Sequence, residues 1–329
     1  MKIATFVGGL IGLALLVALA IHADLAAMLH TLHSAGAGLL LLPPWRVLFF
    51  LLYALGWRTL LRDPQHPVGT GYLLWATAVR EAGDRLLPLP SVGGSFIGIR
   101  VLRWRGLSGT LAAASIITEI LLTLIASWLF TGIGLYLLLA GRSLPWSTAR
   151  VLLLFALAVA MPLVTFLTLR SGRVFSRLER RLRPWLAGFV DGGSAVRLDE
   201  ELGVMLRQTG RLVFAQNLQL TALLSGSLEV WLALHLFGHS ASLTDAIILE
   251  SLTQAARMVA FMVPASIGVQ EAVLVVLGHS LGIGPELALA VSMAKRIREV
   301  LCGVPALLSW QYLEGRRARD KRRELAAID

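Results

Sequence analysis

The chain has 329 residues, 56% of them hydrophobic and only 15% charged, with a formal net charge of +10 and a mean hydropathy of +0.73. A soluble domain carries about 25% charged residues, so this composition excludes an ordinary soluble enzyme and points to a polytopic membrane protein. The single cysteine, Cys302, excludes a disulfide framework and a cysteine zinc site, and the seven histidines show no HExxH spacing, so neither a metal nor a cofactor is expected.

Only helices and closed barrels satisfy the backbone in hydrocarbon, and a spanning helix needs about 20 apolar residues. The apolar runs here have that length and lack the ten-residue alternation of a barrel, so the predicted fold class is all-α, a membrane helix bundle. The first run, 3–21, follows Lys2 and ends near Ala18-Leu19-Ala20, which also suits a cleavage site; its length and single lysine favour a retained helix over a signal peptide. Further spans are predicted at about 39–61, 109–130, 148–168, 212–237 and 285–310.

Two apolar regions, 72–99 and 244–280, are broken near their middles by Leu87-Pro88-Leu89-Pro90-Ser91-Val92-Gly93-Gly94-Ser95 and by Val263-Pro264-Ala265-Ser266-Ile267-Gly268-Val269-Gln270-Glu271. Proline removes a backbone donor and disfavours helix in the residue before it. Each region therefore reads as a re-entrant hairpin of two half-helices.

With both hairpins returning to their own side, 21 of the 30 Lys and Arg residues fall in loops on one side, only Arg142 and Arg150 on the other, and seven lie within the apolar stretches. The positive-inside rule then places both termini in the cytoplasm. The halves, about 39–140 and 212–310, enter from opposite sides as an inverted repeat, joined by a basic linker over 170–211 that is amphipathic at Arg170–Trp185. The membrane domain runs over 1–312, and a basic tail occupies 313–329. Pro90 to Gly94 aligns with Pro264 to Gly268 at an offset of 174, and a slip of two places Glu119 on Lys295, so these two are expected to face each other across the pseudo-twofold axis as an ion pair. Inverted repeats with helices broken at the midplane are a transporter architecture.

Three groups carry the candidate chemistry. Lys295, Arg298 and Glu299 share one helix face, with Arg296 able to reach Glu299 at i+3; with Glu119 they form either a structural ion-pair lattice or a cationic site for a lipid phosphate. At the hairpin tips, Pro90, Ser91, Gly93, Gly94, Pro264, Ser266, Gly268, Gln270 and Glu271 either present free N–H groups to an anion or form tight turns satisfied by their neighbours. Arg80, Glu81, Asp84 and Arg85 make either a headgroup gate or a self-neutralised face, and Arg46 and Glu229 are further buried charges in need of partners.

Leu89-Pro90-Ser91-Val92-Gly93-Gly94, Pro264-Ala265-Ser266-Ile267-Gly268-Val269-Gln270-Glu271 and Ala294-Lys295-Arg296-Ile297-Arg298-Glu299 resemble the flippase-like transmembrane region of lysylphosphatidylglycerol synthases and their stand-alone relatives, over roughly 5–312. With Leu308-Ser309-Trp310-Gln311, the pattern is most similar to the hopanoid-associated branch. The resemblance implies a multi-pass protein of the bacterial inner membrane that moves hopanoid or another polar or anionic lipid, with membrane lipids and lipid-synthesis proteins as partners and no nucleic acid. The bifunctional synthases carry a cytosolic transferase domain after this region, whereas 19 residues follow Trp310 here, so no synthase activity is expected. A scaffold of a lipid-synthesis complex and an intramembrane lipid-modifying enzyme using carboxylates alone are the alternatives.

Overall fold

The computed structural model describes residues 36–61, 65–86, 93–141, 163–170, 194–260 and 268–326, with His33, Ala156, Ala160, Val263 and Ser266. These residues are helical apart from turns and short connections, and no strand occurs among them. The first predicted span, most of the fourth, the basic amphipathic stretch after Arg170, and the tip residues Pro90, Ser91 and Pro264 lie outside the described residues.

A 3-10 turn at Gly36–Leu41 leads into α1, Leu42–Leu60, whose start carries Pro43 and Pro44 where a missing N–H costs nothing. The first hairpin comprises α2, Thr70–Leu86, and α3, Gly93–Arg103; α4, Gly109–Gly141, follows. After α5, Ser194–Arg207, the second half comprises α6, Thr209–Leu236, a hairpin of α7, Leu243–Val259, and α8, Val269–Ser280, and then α9, Pro285–Ala326. The arms have 17, 11, 17 and 12 residues, all short of the roughly 20 that cross a bilayer. Each pair packs arm against arm.

Specific residues set these boundaries. Ser242 opens α7 with a reciprocal capping box to Asp245. Gly268 opens α8 at φ +80, a conformation reserved for glycine, and the Glu271 carboxylate accepts its N–H at 2.8 Å. In the first hairpin Asp84 Oδ1 accepts the Gly94 N–H at 2.8 Å. A Cβ on Gly94 would stand 2.2 Å from the Arg80 carbonyl oxygen, so only glycine lets the arms approach this closely.

The halves pack by exchange. α1 lies against α6; the closing helix of the first half, α4, packs on the second hairpin through α7; and the closing helix of the second half, α9, packs on the first hairpin through α2. Contacts within each half repeat the same way, α1 with α2 as α6 with α7, and α3 with α4 as α8 with α9. This is the pattern of a two-fold repeat, and it places both hairpins at the interface between halves. Within the predicted linker, α5 is a packed element, burying Leu202 and Met205 against Ala114 of α4 and Leu206 against Leu121.

Two helices differ in length from expectation. α4 has 33 residues and α9 has 42, about 63 Å at 1.5 Å per residue, so α9 runs through the apolar region and continues as the start of the basic tail. Among the described residues, Gly36–Leu60 and Gly109–Ala140 meet the length and apolarity of a membrane span outright; in α9 the buried charges dilute the signal.

Candidate functional site

All seven Lys and Arg residues of the apolar stretches converge on the half-to-half interface, each near a carboxylate. Arg46 of α1 donates to Glu81 of α2 at 2.5 Å, and Arg85 reaches the same carboxylate at 3.5 Å across one helical turn. Arg80 of α2 pairs with Glu119 of α4. Lys295 of α9 pairs with Glu250 of α7, which also accepts from Arg257 at 3.3 Å. Arg298 donates its Nε to Glu229 of α6 at 2.8 Å, and Arg296 bridges Glu271 at 3.2 Å and Glu299 at 3.3 Å.

The cluster is balanced. Its cations are Arg46, Arg80, Arg85, Arg257, Lys295, Arg296 and Arg298; its anions are Glu81, Asp84, Glu119, Glu229, Glu250, Glu271 and Glu299, seven of each. Burial is deep: Glu119, Glu229 and Lys295 are each 2% exposed. An isolated charge at this depth costs about 3 kcal/mol or more, which explains why every cation here has an acid within reach.

The predicted pairing of Glu119 with Lys295 is not formed. The sequence repeat aligns their positions, yet each takes a partner from a hairpin arm of its own half, Arg80 for Glu119 and Glu250 for Lys295. Equivalent positions in a two-fold repeat contact each other only if they lie at the axis. These two closing helices pack on hairpins instead.

A cavity of about 270 Å³ opens within the cluster. Of the residues singled out from sequence, Arg80, Glu81, Asp84, Arg85, Glu119 and Arg46 line it, whereas Lys295, Arg296, Arg298, Glu299, Gln270 and Glu271 do not. The predicted cationic stripe of α9 is ion-paired with Glu229, Glu250, Glu271 and Glu299 and does not line this cavity. Glu250, Gln254 and Arg257 of α7 complete the wall. Glu250 and Gln254 were not legible as site residues, although Glu250, Gln254 and Arg257 share a helix face at i, i+4, i+7, and that spacing was the available signal.

The described tip amides are occupied by the protein itself: Gly94 donates to Asp84, and Gly268 to Glu271. Glu271 also accepts from Ser292 at 3.1 Å and from Arg296, while Arg296 donates to the Ser266 carbonyl at 3.3 Å and Gln270 bridges Arg257 to Ser292. Gly94, Ser266, Gly268, Gln270 and Glu271 thus brace the hairpins. At these residues the braced-turn alternative is the one the geometry supports.

Several buried donors of residues that line the cavity lack a protein acceptor. Arg46 Nε, Arg80 Nε, Arg257 Nε and the Thr77 hydroxyl are buried and make no hydrogen bond, and all four residues line the cavity. Aromatic faces hold two of the guanidinium groups, Phe49 beneath Arg46 at 3.6 Å and Trp57 beneath Arg80 at 4.5 Å. No group of three or more His, Cys, Asp or Glu side chains suited to a metal occurs among the described residues.

A helical membrane protein built as two swapped halves, with a charge-balanced polar cavity between paired hairpins, is the class this fold and site define. Residues 5–305 match the family described as the lysylphosphatidylglycerol synthase TM region, and the chain belongs to that family. Comparison with curated proteins and with solved structures gives no match.

Proposed function

We propose that this protein moves a polar lipid across the bacterial inner membrane, its headgroup passing through the central cavity while its apolar part stays in the bilayer. The observation that carries this reading is the set of unmatched donors, Arg46 Nε, Arg80 Nε, Arg257 Nε and the Thr77 hydroxyl, around a space large enough for a headgroup but not a whole lipid. Phosphate or hydroxyl oxygens of a headgroup complement such donors. The balance of seven cations and seven anions means that the site can take a polar or zwitterionic headgroup as well as an anionic one, and hopanoids with polar side chains belong to that range. The role is non-enzymatic, since Glu81, Glu119 and Glu250 are each committed to a cation.

The test is reconstitution into liposomes with labelled hopanoid and phospholipid analogues. Thr77→Val removes one donor without altering shape and breaks no existing bond. One neutral hydrogen bond is worth about 1 kcal/mol, so transfer of the preferred lipid should fall about fivefold with membrane abundance unchanged. Unchanged transfer in Thr77→Val, with no lipid preference in the native protein, would favour the alternative that the balanced charges are a structural lattice in a scaffold protein.

The inverted arrangement makes a separate prediction. Reporters fused after Arg62, Arg105, Arg183 and Arg323 should read cytoplasm, and fusions near Ser34, Ser143 and Ser240 should read periplasm. A cytoplasmic reading at Ser240 would mean that both hairpins enter from one side, and alternating access between inverted halves would be abandoned.

A further inference from the structure

Away from the central cavity, the base of the first hairpin and the extension of α9 form a groove of about 1280 Å³. Along α3, Phe96, Arg100 and Arg103 follow at i, i+4 and i+7, placing an apolar residue nearer the hairpin tip and cations nearer its base on one face. Along α9, Leu313, Arg316, Arg317 and Asp320 repeat the order at i, i+3, i+4 and i+7. All of these line the groove. The two faces are clamped where they meet: Arg100 pairs with Glu314 through two contacts, one of them 2.9 Å, and Arg317 lies 4.7 Å over the Trp104 ring.

The groove has the character of a membrane-surface site. Trp75 and Trp104 stack at 6.3 Å and Trp75 contacts Tyr72, an aromatic cluster of the kind found at headgroup level. Phe96 is 71% exposed, a position suited to an acyl chain. Above it, the side chains of Arg103 and Arg316 are exposed and take part in none of the side-chain hydrogen bonds or ion pairs found among the described residues. Four arginines, Arg100, Arg103, Arg316 and Arg317, face two acids, Glu314 and Asp320, leaving a net excess of two positive charges.

We propose that this groove binds an anionic phospholipid, its phosphate between Arg103 and Arg316 and an acyl chain along Phe96. Neither Glu314 nor Trp104 is displaced, because each already clamps α9 to the hairpin; the lipid joins the same two helices from outside. The occupied groove ties the hairpin base to the closing helix of the other half, so the composition of the surrounding leaflet tunes how firmly the halves are joined. This does not rest on transport through the central cavity.

The experiment is native mass spectrometry of the whole protein in neutral detergent, titrated with phosphatidylglycerol or phosphatidylcholine, alongside thermal unfolding. Phosphatidylglycerol should be retained about tenfold or more in preference to phosphatidylcholine and should raise the unfolding temperature. Arg103→Gln with Arg316→Gln, two exposed and unpaired positions, should lower phosphatidylglycerol retention about tenfold or more. Arg197→Gln with Arg207→Gln, exposed on α5, removes the same charge elsewhere and should retain the lipid. Equal retention of both lipids, equal loss in the α5 control, or displacement by about 20 mM inorganic phosphate in excess of the lipid would each overturn the proposal.

Discussion

Glu250→Gln is expected to deplete the protein from the membrane, and Glu250→Gln with Lys295→Gln to recover much of that loss. Glu250 holds both Lys295 and Arg257, and Lys295 is 2% exposed. Removing one partner of a buried pair costs about 3–5 kcal/mol because the other charge is left uncompensated, a large share of the about 5–15 kcal/mol that holds a typical fold. In the double variant Arg257 still reaches Gln254 and Gln270, so the stranded charge is partly met. Glu119→Gln with Lys295→Gln tests the alternative pairing directly. That combination strands Arg80 and removes one of the two cations on Glu250, so it should be no more abundant than the worse of its two singles. Quantitative blotting of membrane fractions for the five variants checks both claims; recovery in the Glu119 and Lys295 combination would show that these residues pair after all.

Gly94→Ala is expected to split the first hairpin. The added Cβ would stand 2.2 Å from the Arg80 carbonyl and 2.7 Å from Asp84 Oδ2, and backbone cannot rotate aside as a side chain can. Overpacking a tight contact costs about 1–3 kcal/mol and at times more. Here the shift would also break the Gly94 to Asp84 bond and move Arg80, whose carboxylate partner is on α4. Gly83→Ala is the comparison: its Cβ would meet the terminal methyl of Ile97 at 2.7 Å, the flexible end of a side chain, so its cost should be clearly smaller. Unfolding temperatures in detergent measure the difference. Equal effects at both positions would mean that the arms are less tightly joined than the Asp84 bridge implies.

The broken hairpins were readable because proline and glycine act locally. Proline disfavours helix in the residue before it, and α3 starts at Gly93, after Pro88 and Pro90, while α8 starts at Val269, after Pro264. The i, i+3 contact of Arg296 with Glu299 and the i, i+4 contact of Arg85 with Glu81 were equally legible, since helix geometry alone sets them. The full extent of α9 was not. Its basic tail reads by composition as a surface segment, whereas the contacts of Glu314 and Arg317 with α3 continue the helix beyond the apolar region.

The choice of ion-pair partners was decided by tertiary structure. Sequence alone determined that seven cations lie in apolar surroundings and must find acids there, because an unpaired charge in hydrocarbon is too costly to keep. It also determined the repeat that equates Gly94 with Gly268 and Glu119 with Lys295. Which acid meets which cation depends on how the helices of each half fold back on one another. Lys295 of α9 meets Glu250 of α7, and Glu119 of α4 meets Arg80 of α2, each pair within one half. Such contacts join residues 45 and 39 positions apart, and no local periodicity encodes them; they exist only once each closing helix lies beside the hairpin of its own half.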